Sequence, residues 1–303
     1  MTSDIFLDRR GFALAVGATL LLPACVGTRP SRSSPTSQIQ AIEQTAGGRL
    51  GAFVIDTGSG RSFGWRADEL FCHCSTFKLS LAAMALRESD AGRIDLAEPL
   101  AYSQADIVAH SPVVLAHLTK GRLPIRVLAE AVQVTSDNTA ANLLMRRFGG
   151  PEALTRFWRE AGDRVSRLDG YEPDINVIPP GTQENSTTPR AMARTVERLV
   201  TGDVLTASSR ALLGEWMERT RTGMNRIRAS IPADWRGLDK TGTYMHPAIG
   251  NKTNDLAVLY PPKGRAPVIV AGYFEHPVYS EAGREEDEAV LKALGEIAAA
   301  WAG

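Results

Sequence analysis

An α/β (α+β) fold is predicted, in which one antiparallel sheet is built from both ends of the chain, flanked by helices, and an all-helical subdomain is inserted between the two sheet-forming parts. Three observations predict it. Strand-like runs lie near the start (50–55, 62–65) and again near the end (239–243, 256–260, 268–274). The long stretch between them carries apolar residues at helical spacing, and an amphipathic run at 285–301 closes the chain. Strands at both ends around a helical middle are most simply joined as one sheet.

The elements follow in order. Residues 38–47 read as a helix, and the Gly/Ser turn at 57–60 joins the first two strands into a hairpin. Helical periodicity occupies 77–91 and 126–148, with Gly92 and Gly149-Gly150 as stops, then 152–161, 189–199 and 207–217. This gives one folded domain over 38–303, its α/β part at about 38–70 and 220–303 and its helical part at about 71–219, with the interface between the two parts as the natural place for a site. No internal repeat is present.

With 303 residues, 44% of them hydrophobic and 22% charged, the chain can bury a sizeable core. Lys plus Arg equals Asp plus Glu at 34 each, so no net field recruits nucleic acid or an anionic membrane, and a small, roughly neutral partner is the better expectation.

Residues 1–24 read as a cleavable signal. Asp8-Arg9-Arg10-Gly11-Phe12 supplies the paired arginines of a twin-arginine address, and the apolar run at 12–22 is well short of the ~20 residues of a membrane span. Leu22-Pro23-Ala24-Cys25 resembles a lipoprotein cleavage box, which implies lipid anchoring through Cys25; a soluble periplasmic product is the alternative. Residues 25–37, rich in Ser, Arg and Pro, read as a flexible tether. After Cys25 only Cys72 and Cys74 remain. A bridge between them would close a very small ring, so free thiols are expected, with a Cys72-His73-Cys74 metal site as the sharper and less favoured alternative.

Gly60-Arg61-Ser62-Phe63-Gly64 matches the nucleophile-elbow pattern, but its Ser follows a hairpin turn instead of entering a helix, so the context fails. Ser75-Thr76-Phe77-Lys78 opens a helix, and i,i+3 spacing places hydroxyl and amine on one face. The chain has only six lysines among its 34 basic residues. A lysine can shed its proton when desolvated and an arginine cannot, so lysine at this place suggests chemistry. Alone, S-x-x-K arises about once by chance in a chain this long. Ser136-Asp137-Asn138 and then Lys240-Thr241-Gly242-Thr243 follow in order, and the coincidence becomes rare; the bland accounts are a helix cap and an edge strand.

With these motifs the sequence resembles the class A serine β-lactamases and the related penicillin-binding proteins from about residue 40 onward. Glu172-Pro173-Asp174-Ile175-Asn176 matches the Glu-Pro-x-x-Asn loop of class A. The resemblance implies that Ser75 is the nucleophile, with Lys78 or, through water, Glu172 as its base. Ser136 passes a proton to the lactam nitrogen, Asn138 grips the acylamino arm, and Glu172 with Asn176 readies the water that frees the serine. Lys240, Thr241, Gly242 and Thr243 line the substrate carboxylate, Arg226 is the distal guanidinium, and His110 stands at the rim where an aromatic residue is usual. No cofactor or metal is implied. The expected partner is a small β-lactam, the expected state a monomer, and the expected place the periplasm of a Gram-negative bacterium, with or without the Cys25 anchor.

The chain departs from the family in three places. Gly170 and Asn185 stand where many relatives pair an arginine with an aspartate across the loop, which predicts a looser loop. The stretch 244–253 is about four residues longer than the usual turn. Tyr244 and Met245 occupy the region where carbapenem-hydrolysing relatives place the cysteine that bridges to the counterpart of Cys74. The rival readings are a penicillin-binding D-alanyl-D-alanine peptidase, which would not need Glu172, and a non-hydrolysing β-lactam sensor.

Overall fold

The computed structural model describes residues 33–178 and 181–303. The expected signal at 1–24, Cys25 and the tether as far as residue 32 lie outside the described residues. Helix α1 (Pro35–Ala46) opens earlier than expected and takes residues 35–37 out of the tether. Pro35 suits the first helical position, and Ser34 Oγ accepts from the Ser37 amide at 3.1 Å.

The chain then forms β1 (Arg49–Asp56), β2 (Ser62–Trp65), β3 (Phe71–Cys72), α2 (Phe77–Asp90), β4 (Pro99–Ala101), α3 (Pro112–Ala116), β5 (Arg122–Pro124), α4 (Ile125–Val134), α5 (Asn138–Phe148), α6 (Pro151–Glu160) and β6 (Ser186–Thr187). It continues through α7 (Pro189–Thr201), α8 (Ala207–Glu218), β7 (Arg236–His246), β8 (Gly250–Tyr260), β9 (Val268–His276) and α9 (Glu285–Ala302). The main sheet has the order β2-β1-β9-β8-β7 and is antiparallel throughout. Strand β1 pairs with β9 along its whole length, from Arg49 opposite Glu275 to Asp56 opposite Val268, so the first hairpin and the last three strands become one sheet as the sequence predicts.

Both faces of this sheet are covered. Leu50, Ala52 and Val54 of β1 face α1 and α9 with Leu291 and Leu294, while Phe53 and Ile55 face the helical part. At the centre of that part α2 is buried from Phe77 to Leu86, as expected of a helix that is surrounded by others. Among the described residues no helix is long and apolar enough to cross a membrane.

Two expectations are corrected. The periodic run at 126–148 is two helices, because Ser136 adopts φ 61 and Asp137 starts a new one. Asp137 Oδ1 accepts from the Ala140 amide at 2.8 Å, and Oδ2 accepts from the Val113 and Val114 amides of α3 at 2.9 and 3.0 Å, so one carboxylate caps two helices. The long turn after the third motif is instead a continuation of the β7–β8 hairpin, whose pairing runs on to His246 opposite Gly250.

Candidate active site

A single 3-10 turn, Cys74–Thr76, leads into α2 and presents Ser75 at its start. One turn on, Lys78 is fully buried beneath it. Its Nζ donates to Ser75 Oγ at 2.9 Å and to the Ser136 carbonyl at 2.9 Å, reaches Asn138 Oδ1, and stands 2.8 Å from Glu172 Oε1. These acceptors outnumber the three protons of an ammonium, so the amine is held from every side. Burial lowers its pKa, and the Glu172 carboxylate opposes that shift.

Ser136 lies between two lysines. Its Oγ is 3.5 Å from Lys78 Nζ and 3.1 Å from Lys240 Nζ, because the left-handed backbone at Ser136 turns the side chain toward β7. Lys240 also donates to the Thr241 carbonyl at 2.7 Å. Burial, then the nearby charge of Lys78, push the Lys240 pKa down to about 7, against the pull of Asp239.

Glu172 is nearly inaccessible and is fixed at both ends. Its amide donates to Asn142 Oδ1 and its carbonyl accepts from Asn142 Nδ2, each at 2.9 Å. The carboxylate oxygen not facing Lys78 accepts from Asn176 Nδ2 at 3.1 Å, and the same amide reaches the Pro173 carbonyl at 2.7 Å. The Glu172–Pro173 peptide is cis. The loop neck carries no ion pair between positions 170 and 185. It is nevertheless closed, because Asp169 Oδ2 accepts from the Asn185 amide and Asn185 Oδ1 accepts from the Asp169 amide, each at 2.9 Å. The expected looseness is therefore not built into the neck.

Gly242 lets β7 pass directly against the Ser75 turn. A Cβ there would lie 2.8 Å from the His73 carbonyl oxygen and 3.1 Å from the Ser75 nitrogen. A cleft of about 490 Å³ opens above. Of the expected residues, Ser75, Ser136, Asn138, Glu172 and Asn176 line one side, and Thr241 and Thr243 the other. His110 lines the rim, its Nε2 3.0 Å from the Thr135 carbonyl oxygen. Lys78, Lys240 and Gly242 stand directly behind the lining.

Arg226 does not line this cleft. Its guanidinium donates to the carbonyls of Gly242 and Asn254 at 3.2 and 2.9 Å, to Glu288 at 3.1 Å, and to Thr243 Oγ1 at 2.7 Å, so it reaches the cleft only through that hydroxyl. Cys72 and Cys74 are buried free thiols, and the His73 ring between them turns away to stack on Trp158 at 5.0 Å. Ser62 is exposed on β2, where the chain continues as a strand and does not enter a helix. The sequence reading missed the clamp that Asn142 puts on Glu172 and the contact of Thr222 Oγ1 with Thr241 Oγ1 at 2.5 Å. Asn142 was within reach, since it lies one helical turn after Asn138 on α5; Thr222 sits in no recognisable pattern.

The comparisons with known proteins point to one family. The model of the Beta-lactamase enzyme family matches residues 34–302. Beta-lactamase L2 of Stenotrophomonas maltophilia is 39% identical over 300 residues, covering 97% of this chain and 96% of its own. A β-lactamase from Burkholderia vietnamiensis of known structure superposes with a TM-score of 0.83 at 47% identity, covering 90% of this chain and 98% of that one. An ancestral (GNCA) class A β-lactamase gives 0.81 at 43%, covering 87% and 98%. On the fold, on the clustered motifs and on these matches, the chain belongs to the beta-lactamase enzyme family, within class A.

Proposed function

We propose that the protein hydrolyses the amide bond of β-lactams through an acyl-enzyme on Ser75 and thereby confers resistance to them. The observation that carries this reading is Lys78, bonded at once to Ser75 Oγ at 2.9 Å and to Glu172 Oε1 at 2.8 Å. A bond forms between Ser75 Oγ and the lactam carbon, and the C–N bond of the ring breaks. The Ser75 proton leaves to Lys78 once that amine has handed a proton to Glu172, or to Glu172 through a water, and both routes end in the same buried trio. Ser136, touching both lysines, returns a proton to the departing nitrogen. The main-chain N–H groups of Ser75 and Thr243 hold the oxyanion, and Gly242 permits the close approach of β7 to the Ser75 turn. Asn138 receives the acylamino arm. Lys240, Thr241 and Thr243 receive the ring carboxylate, with Arg226 acting through the Thr243 hydroxyl.

The second half of the cycle separates a hydrolase from a trap. Glu172 Oε2 and Asn176 Nδ2 are joined at 3.1 Å, and together they hold the water that attacks the ester. A peptidase or a sensor has no use for that pair. Nitrocefin with three proteins tests the reading: wild type turns over, Glu172→Ala accumulates the acyl-enzyme, and Ser75→Ala forms no adduct. Sustained turnover by Ser75→Ala would remove the nucleophile. We further place the mature protein, a monomer, in the bacterial envelope, exported by the 1–24 signal and anchored through Cys25; a palmitate analogue is expected to label wild type and not Cys25→Ala.

A further inference from the structure

Lys252 is a third buried lysine in a chain with six, and the chemistry above gives it no task. It stands on β8 opposite Tyr244, in the part of the hairpin that extends past the third motif. Taking an ammonium out of water is costly, so its position demands a partner. The neighbouring carboxylate across the sheet, Glu275, is held by Arg49 at 2.8 Å. Lys252 Nζ instead donates to the main-chain carbonyl of Asn176 at 2.9 Å.

The loop that carries Glu172 is thus caught by its carbonyls from three elements. Asn142 of α5 takes Glu172, Cys72 of β3 gives a thiol contact of 3.5 Å to Ile175, and Lys252 of β8 takes Asn176. Only the last is charge-assisted, hence the strongest of the three. Asn142 fixes one half of the hydrolytic pair from outside the loop; the other half is held within the loop by the Pro173 carbonyl and from outside it by Lys252. We infer that Lys252 is a positioning residue for deacylation, which pins Asn176 from the sheet so that its side-chain amide stays on Glu172 Oε2. This rests on the proposed role of Glu172 and Asn176. Ser75, Lys78 and Ser136 lie on other elements, so losing the tether slows the second chemical step and spares the first.

The test is rapid-mixing kinetics and intact-protein mass on the mature chain with nitrocefin, comparing wild type, Lys252→Met, Lys252→Arg and Glu172→Gln. In Lys252→Met a misplaced Asn176 is expected to slow deacylation by about tenfold or more, with acyl-enzyme visible by mass and acylation within about threefold of wild type. Lys252→Arg, which keeps a charged donor, recovers part of the loss. Deacylation at the wild-type rate in Lys252→Met, or equal losses in both steps, overturns the inference. Lys252→Gln supplies the same comparison if the methionine variant is too unstable to purify. Glu172→Gln separates the two ideas, because its failure to accumulate ester would sink the hydrolytic reading itself, whatever Lys252 does.

Discussion

Lys78 and Glu172 form an ion pair of 2.8 Å whose side chains are 0% and 2% exposed. Neither charge has access to bulk water, so each is tolerable only because of the other and of the hydrogen bonds that complete their shells. In the proposed mechanism this is what keeps a base beside Ser75. A proton that leaves the hydroxyl stays inside a closed set of groups.

The pair is expected to be strongly coupled. Removing one partner leaves a buried charge alone, at a cost of about 3–5 kcal/mol, whereas removing both leaves none. Lys78→Met and Glu172→Gln together are therefore expected to cost less than the sum of the two single changes, with a coupling of about 2 kcal/mol or more in a denaturant double-mutant cycle. Additivity within about 0.5 kcal/mol would show that the two charges do not meet in solution.

Lys240 makes stability depend on pH. Its folded pKa of about 7 lies below its ordinary 10.5, so between these values the unfolded chain binds a proton that the folded chain has given up. Stability contributed by this group therefore rises with pH across that window and is lowest below pH 7, where the charge is buried. Relative to Lys240→Met, the wild-type Tm is expected to gain steadily from pH 7 to pH 10; parallel profiles would refute the shift. On the role proposed for Lys240, activity runs the other way, because the charge offered to the substrate carboxylate is lost as pH rises. Lys240→Arg keeps its charge and is expected to lack that alkaline limb in kcat/KM.

Gly242 is expected to matter more for rate than for stability. A methyl group at this position meets the His73 carbonyl at 2.8 Å and the Ser75 nitrogen at 3.1 Å, both main-chain atoms of the turn that presents the nucleophile. Strand and turn must part by a few tenths of an ångström. Gly242→Ala is expected to slow acylation by about tenfold or more, since misplacement of ~1 Å can cost ~10²-fold, while stability falls by about 1–3 kcal/mol as for other overpacked sites. Single-turnover acylation rates beside unfolding curves check the split.

What was legible in the sequence was the part that chemistry restricts to few residue types. Ser75, Lys78, Ser136, Lys240 and Glu172 stand out because the proposed reaction needs a hydroxyl, amines and a carboxylate at set spacings. Strands and helices with a regular apolar period were equally legible, as at Ser62–Trp65 and Glu285–Ala302. The start of β8 was not, because Asn251, Lys252, Thr253, Asn254 and Asp255 are polar yet buried, so the apolar period is missing. They are buried because each serves a distant partner: Asn254 holds the Cys72 and His73 carbonyls, Lys252 the loop, and Asp255 the Ile227 amide. Contacts of this kind, side chain to backbone across long sequence distances, leave no local signal. The clamp of Asn142 on Glu172 and the turn of Arg226 behind Thr243 escaped for the same reason.

The loop neck shows how a missing ion pair is replaced. Asp169 and Asn185 exchange two hydrogen bonds, Arg167 holds the Asp169 carboxylate through Nε at 3.0 and 3.1 Å, and the Asn185 carbonyl accepts from the His73 amide at 3.1 Å, which ties the neck to the Ser75 turn. Asn185 also has φ 53, a conformation that Asn tolerates better than most residues. Asn185→Asp keeps the shape but sets a second carboxylate against Asp169. It is expected to destabilise by about 1 kcal/mol or more at neutral pH and to speed amide exchange over 168–178. Adding Gly170→Arg supplies the absent cation: a Cβ at Gly170 meets only the Ile175 side chain, at 3.3 Å, and φ there is not left-handed, so the arginine can be accommodated. The double variant is expected to recover stability and protection. If Asn185→Asp alone leaves amide exchange across the loop unchanged, the Asp169–Asn185 pair does not hold the neck, and protection must come from the Asn142 and Lys252 contacts instead.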